Sequence, residues 1–164
     1  MWCPPDGGCF KVNTDAAICV KGLKVGIGII IWDGAGSVMV SSAQPIMAVY
    51  SPQVAEAVAI LRGIQLVVDT SLMPCLIESD AQVVVNLIND GAVPFSEVGL
   101  VIKDICSKIK NLQGCSIGYV PRKANMAAHC LAELSLSLVV DSFWMEDCPP
   151  SVILVVLCDS PSLV

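Results

Sequence analysis

The sequence predicts an α/β domain: a mixed five-stranded sheet, three strands antiparallel and then two parallel, flanked by helices. Two observations predict it. Three β-rich stretches follow one another in the first third of the chain, with a turn composition between the second and third. After Ser51-Pro52 the pattern changes, and helical stretches alternate with short apolar ones. Strands that alternate with helices pair in parallel through right-handed crossovers.

Each element has its own signal. Cys9 to Asp15 alternates loosely, as a strand does, and Val25 to Trp32 is rich in β-branched residues. Asp33-Gly34-Ala35-Gly36 has hairpin-turn composition, and Ser37 to Ala43 follows as the third strand. Ser51 can cap a helix whose first position suits Pro52. Val54, Val58, Leu61, Ile64 and Val68 then recur at helical spacing, which predicts a helix from Pro52 to Asp69. Cys75-Leu76-Ile77 reads as a strand ended by Glu78-Ser79-Asp80. Helices are expected over Ala81 to Asn89, stopped near Gly91, and over Ser96 to Leu112, broken by Gly114. Cys115 to Val120 is the last expected strand, and Arg122 to Leu138 the last expected helix. The layout is an extended lead-in over 1–8, a domain over 9–140, and a tail over 141–164 that packs back on it. The abrupt opening is what a piece of a longer polypeptide would show.

Composition narrows the function. Hydrophobic residues make up 55% of 164 residues and charged ones 15%, so disorder is not expected. Mean hydropathy is high at +0.74, yet the most apolar runs fall far short of the roughly 20 residues a membrane helix needs. No membrane partner and no secretory signal are expected, which implies an intracellular setting, nuclear or cytoplasmic. The nine cysteines are odd in number and include no CxxC pair; with one histidine there is no zinc pattern. They read as small buried hydrophobes in a reducing compartment. A net charge of -6 argues against strong sequence-independent binding to a phosphate backbone.

Four residues stand out chemically. Asp15 sits in an apolar strand, where a carboxylate is costly unless paired or metal-bound; the plainer alternative is an Asp capping a turn. Glu56 lies early in its helix, where the macrodipole alone would favour it, but Pro52, Ile60 and Gly63 around it are not polar. Asp80 follows a strand and precedes a helix. It reads either as an N-cap or as a group in the crevice beyond a strand's carboxyl end. His129 shares a stripe with Arg122, Asn125 and Glu133, either a solvated face or a set pointing at the same crevice. The chain order puts the three carboxylates on neighbouring elements, as a site for divalent ions requires.

Ordered motifs along nearly the whole chain resemble the ribonuclease H-like domains of type 1, in the plant, retroelement-derived branch. They are Trp2-Cys3-Pro4-Pro5, Lys11-Val12-Asn13-Thr14-Asp15, Gly26-Ile27-Gly28-Ile29-Ile30, Trp32-Asp33, Ala55-Glu56-Ala57, Glu78-Ser79-Asp80, Val120-Pro121-Arg122 with Asn125, Ala128-His129, Leu131-Ala132, and Trp144-Met145-Glu146-Asp147 with Pro149-Pro150. The resemblance implies a ribonuclease H-like fold and an endonuclease that cuts the RNA strand of RNA–DNA hybrids by a two-metal mechanism. It maps metal-binding carboxylates onto Asp15, Glu56 and Asp80, with Mg²⁺ or Mn²⁺ as cofactor, and puts His129 in a fourth catalytic position where the best-known active members carry Asp. Asn13, Arg122 and Asn125 fall at substrate-binding positions. Ala16 stands where the family usually has Gly, and the basic handle of some members is short here, with Lys103, Lys108 and Lys110 the charges near it. The alternative is a catalytically weak or inactive module that binds nucleic acid or a protein partner. A 3′ exonuclease of the same fold usually shows Asp-x-Glu in the first strand; Ala17 occupies that Glu position here.

Overall fold

The structure is a computed structural model that describes residues 2–159. The described residues form one six-stranded sheet in the order β5-β4-β1-β2-β3-β6. β1 (Phe10–Cys19), β2 (Lys24–Trp32) and β3 (Val38–Met47) form an antiparallel meander. α1 (Pro52–Thr70) crosses one face and returns the chain to β4 (Cys75–Ser79), which pairs in parallel with β1. α2 (Gln82–Asp90) and α3 (Glu97–Lys110) lead to β5 (Cys115–Tyr119), parallel to β4. A 3₁₀ turn over Arg122–Ala124 precedes α4 (Met126–Ser135) on the opposite face. β6 (Ser142–Met145) and α5 (Ile153–Asp159) complete the described chain.

The α/β class and all five expected strands are present, with four differences. β1 runs on to Cys19 because its hairpin pairing with β2 continues to Cys19↔Lys24, which leaves Asp15 inside a strand. The helix expected from Arg122 is interrupted at Asn125, whose φ of -122° leaves the helical region. Its side chain bonds the backbone of β1 instead. A sixth strand forms in the segment expected only as a tail: Val40↔Met145 to Ala43↔Ser142 pair along β3. Within the expected tail, the apolar residues from Val152 to Leu157 are largely helical, in α5, and 160–164 lie outside the described residues. No helix among the described residues is long and apolar enough to cross a membrane.

β2 explains the layering. Val25, Ile27, Ile29 and Ile31 point into the larger core with α1 and α3, and Ile30 and Trp32 into the smaller core with α4. Both faces are covered, so the strand reads as a continuous apolar run rather than an alternating one. On the α4 face the alternate positions are Gly26 and Gly28. A Cβ at Gly28 would lie 2.1 Å from the carbonyl oxygen of Ala128, and one at Gly26 would lie 2.2 Å from that of Ala132. The backbone of α4 therefore rests directly on β2.

The lead-in is anchored by Trp2, which is 4% exposed and packs against Trp32 with ring centroids 4.7 Å apart and the ring planes tilted by 46°. Both indole N–H groups donate to Asn13 Oδ1, at 3.2 and 3.0 Å. Asn13 Nδ2 donates to Glu78 Oε2 at 3.1 Å, and Lys11 Nζ lies 3.1 Å from Glu78 Oε1 and donates to the Cys3 carbonyl. Lys11 and Glu78 are both 6% exposed, so removing one partner strands a buried charge. Lys11→Met is expected to destabilise the fold by about 3 kcal/mol, read as a lower urea midpoint with the slope unchanged. A loss under about 0.5 kcal/mol would show that the pair is solvated, as exposed pairs are.

Candidate active site

The carboxylates meet at the end of the sheet where β1 and β4 part. Parallel pairing between them stops at Asn13↔Glu78, two residues before Asp15 and two before Asp80. Asp15 is 2% exposed. Glu56 comes from α1 and Asp80 from the turn after β4. One oxygen from each of Asp15, Glu56 and Asp80 can be chosen so that all lie within 4.8 Å of one another.

The plainer readings of these residues fail one by one. Asp15 caps no turn, since β1 continues past it. The first turn of α1 contains no acid, so Glu56 lies too far along the helix for the macrodipole to account for it. α2 begins after Ala81 with no side-chain cap, and the Ala81 N–H donates to Ser79 Oγ at 3.1 Å. Asp80 is therefore not spent as an N-cap. His129 does not stand on a solvated face: its Nδ1 lies 2.8 Å from Asp15 Oδ2. A carboxylate acceptor at this distance favours the tautomer that carries its proton on Nδ1.

α4 is positioned for this by the glycines of β2. Gly28 is directly opposite Asp15 in the antiparallel register, and it is where the Ala128 backbone touches the sheet. His129 is the next residue. Asn125 ties the start of α4 to the same strand, since its Nδ2 donates to the Thr14 carbonyl at 2.9 Å.

Crowding of negative charge raises the proton affinity of Glu56 and Asp15. Burial first, then the charges of Asp15 and Asp80, push Glu56 up to about 9. Burial first, then Asp80, raises Asp15, against the opposing hydrogen bond and charge of His129. Glu56 Oε2 is buried with no hydrogen-bond partner. A hard divalent cation would meet all three conditions: clustered oxygens, crowded negative charge and an unpaired buried acceptor. The donor set, oxygen without thiolate, suits Mg²⁺ or Mn²⁺.

This has a pH signature in metal-free protein. A carboxyl whose folded pKa is raised binds more protons folded than unfolded, so stability falls as pH rises. For Glu56 the contribution is fully present below about 4.5 and is lost as pH climbs toward about 9. Melting temperature in EDTA is expected to drop across that window, and Glu56→Gln is expected to flatten the drop. Equal slopes in the two proteins would mean that Glu56 titrates normally.

Not every expected residue reaches this site. Arg122 does: it is exposed, its Nη2 lies 3.2 Å from both ring nitrogens of His129, and it lines a cleft of about 330 Å³ with Glu56 and Asp80. Asn13 does not, because it is 1% exposed and its amide is held by two tryptophans and Glu78. Asn125 is likewise 1% exposed and supports β1 from within; its Oδ1 is buried without a partner. Sequence reasoning passed over Gln53 and Gln82, which line the same cleft. Their signal was available: Gln53 is three residues before Glu56, and Gln82 is two after Asp80.

A family described as reverse transcriptase-like matches residues 13–135. No curated protein sequence matches the chain. Among solved structures, ribonuclease H1 of the halophilic archaeon Halobacterium salinarum superposes with a TM-score of 0.68 at 17% identity, covering 78% of this chain and 97% of that one. The N-terminal ribonuclease H domain of a Mycobacterium tuberculosis protein gives 0.69 at 19% identity, covering 78% and 93%. LC11-RNase H1 in complex with an RNA/DNA hybrid gives 0.67 at 20% identity, covering 78% and 99%. The likeness in architecture establishes a ribonuclease H-like fold.

Proposed function

This chain belongs to the reverse transcriptase-like family, and we propose that it is a metal-dependent endonuclease that hydrolyses the RNA strand of RNA–DNA hybrids. The observation that carries the reading is the convergence of Asp15, Glu56 and Asp80 within 4.8 Å, from three elements far apart in sequence. LC11-RNase H1, whose fold this chain shares, is seen with an RNA/DNA hybrid, and the same ligand class is proposed here.

Asp15, Glu56 and Asp80 would hold two Mg²⁺ or Mn²⁺ ions. Such ions supply an activated water and stabilise the leaving oxygen in a phosphodiester displacement. The chain's own groups do the rest. Asp15 fixes the His129 tautomer through Nδ1, which leaves Nε2 as the nitrogen that can accept and return a proton at the cleft. Arg122, beside His129 on the cleft wall, is placed to pair with a phosphate, which its planar fork suits. Gln53 and Gln82 offer amides to sugar and base edges along the same wall.

A second reading rests on charge. With a net charge of -6, the chain is a poor competitor for a phosphate backbone on its own, which favours a catalytically weak module acting inside a longer polypeptide. The deciding experiment is cleavage of a labelled hybrid in Mg²⁺ or Mn²⁺, with Asp80→Asn alongside. Metal-dependent cutting that Asp80→Asn removes is the expected result. Hybrid binding without cutting would overturn the enzyme in favour of the binding module. Neither binding nor cutting would turn attention to a protein partner.

A further inference from the structure

Cys75 opens β4 and Cys115 opens β5, and the parallel register sets them directly opposite each other. Residues so paired face the same side of the sheet. The backbone around them is pinned. The Cys75 N–H donates to the Gly114 carbonyl and the Phe10 N–H to the Pro74 carbonyl, both at 2.8 Å. Gly114 has φ +76°, and a Cβ there would come within 2.7 Å of Pro74. In this setting the two thiols touch: Cys75 Sγ lies 3.7 Å from Cys115 Sγ. Neighbouring strands lie about 4.8 Å apart, inside the Cα separation of roughly 4.4–6.8 Å that a disulfide accepts. Closing the S–S bond therefore asks for side-chain rotation and little backbone movement.

The two sulfurs are not equivalent. Cys75 is 1% exposed, while Cys115 is only partly buried. The hydrogen bond from Cys75 holds the Cys115 thiol below its ordinary range, against burial, and the same bond, with burial, pushes Cys75 far up. This is the division of labour of an attacking thiolate and a sheltered resolving thiol.

We propose that Cys75 and Cys115 are a peroxide-oxidisable dithiol that closes to a reversible disulfide across β4 and β5. Cys115 thiolate attacks one oxygen of the peroxide; the S–O bond forms, the O–O bond breaks, and the leaving hydroxide takes up a proton to become water. Cys75, giving up its proton, attacks the resulting sulfenic sulfur; the S–S bond forms and the S–O oxygen leaves as a second water. Two thiols are oxidised and one hydrogen peroxide is reduced to two waters. The site is at the far end of β4 from Asp80 and depends on no metal. The linkage closes a loop of 40 residues around α2 and α3. Constraint of the unfolded chain is then expected to raise the melting temperature by about 5–10 °C.

The test is mild treatment of the folded full chain with hydrogen peroxide, followed by unfolding, alkylation and peptide mapping. Of nine cysteines, two are expected to escape alkylation. Tryptic peptides 63–103 and 111–122 are expected to be joined, and dithiothreitol is expected to separate them. Cys75→Ser is expected to stop at a sulfenic acid on Cys115 that a 1,3-diketone traps, while Cys9→Ser leaves the linkage intact. Nine alkylated thiols in the treated wild type, or a linkage through Cys9 or any other cysteine, overturns the proposal. The wild-type map decides even if a variant fails to fold.

Discussion

Asp15→Asn is expected to stabilise the metal-free protein while removing its activity. The substitution deletes one of three crowded charges, at a carboxylate whose proton affinity burial and Asp80 already raise. Asn keeps an oxygen that can accept the His129 Nδ1 proton, so the 2.8 Å contact need not be lost. In EDTA at pH 8 the melting temperature is expected to rise by about 3 °C, the equivalent of roughly 1 kcal/mol in a domain of this size. In Mg²⁺ the order is expected to reverse, because the wild type gains from binding that the variant lacks. On the proposed reading, cleavage of a hybrid is expected to fall about 1,000-fold or more, since the loss of a group that would hold the metal forfeits several kcal/mol of transition-state stabilisation. If the metal-free variant melts lower and still responds to Mg²⁺, the Asp15 carboxylate is a structural group and the cation site lies elsewhere.

Gly28→Ala is expected to be strongly destabilising for the addition of a single methyl group. The added Cβ would fall 2.1 Å from the Ala128 oxygen and 2.4 Å from the Ala132 nitrogen. Both are backbone atoms of a helix, so no rotamer change relieves the overlap; α4 must lift or tilt. Overpacking of this kind costs about 3 kcal/mol, which corresponds to roughly 6–12 °C in melting temperature. The shift also carries His129 away from Asp15, because Gly28 and Asp15 are partners in the register. Activity is thus expected to fall even at temperatures where the variant is folded. Gly7→Ala is the control: a Cβ there meets nothing within 4 Å. Equal melting temperatures for the two variants would mean that α4 rides on the sheet more loosely than the geometry describes.

The parts of this molecule governed by local rules were legible in the sequence. The Ser51 cap, the apolar spacing through Val68 and the Asp33 turn gave α1 and the β2–β3 hairpin within a few residues. In the structure Ser51 Oγ accepts from the Val54 N–H at 3.3 Å, and Asp33 Oδ1 accepts from the Ala35 and Ser37 N–H groups. What long-range contacts decide was not legible. Nothing local marks Asn125 as a break, because the break comes from a bond to Thr14, 111 positions earlier. β6 was missed because four residues carry little periodicity, and its partner is β3. Among the site residues, the carboxylates could be grouped by chain order. Asn13 could not be placed by type alone, because a buried amide bridging two indoles and a surface amide awaiting a ligand look the same in a sequence. The cysteines divide similarly: they were expected as buried hydrophobes, yet only Cys75 and Cys148 are fully buried.

The distance along the chain between Asp15 and His129, 114 positions, bears on when the site comes into being. The β1–β2–β3 meander can zip up from its own turns soon after collapse, whereas β1–β4 pairing and the seating of α4 must each close a long loop. Asp80, which follows β4, waits on the first of these closures and His129 on the second. A partly folded chain would then hold Asp15 in a hairpin with no companions, and the cluster would exist only once the slowest contacts had formed. On the proposed reading, cation uptake followed in a refolding experiment would report the β1–β4 closure that brings in Asp80, and a growing chain would complete the site with His129 only after α4 had been synthesised and docked.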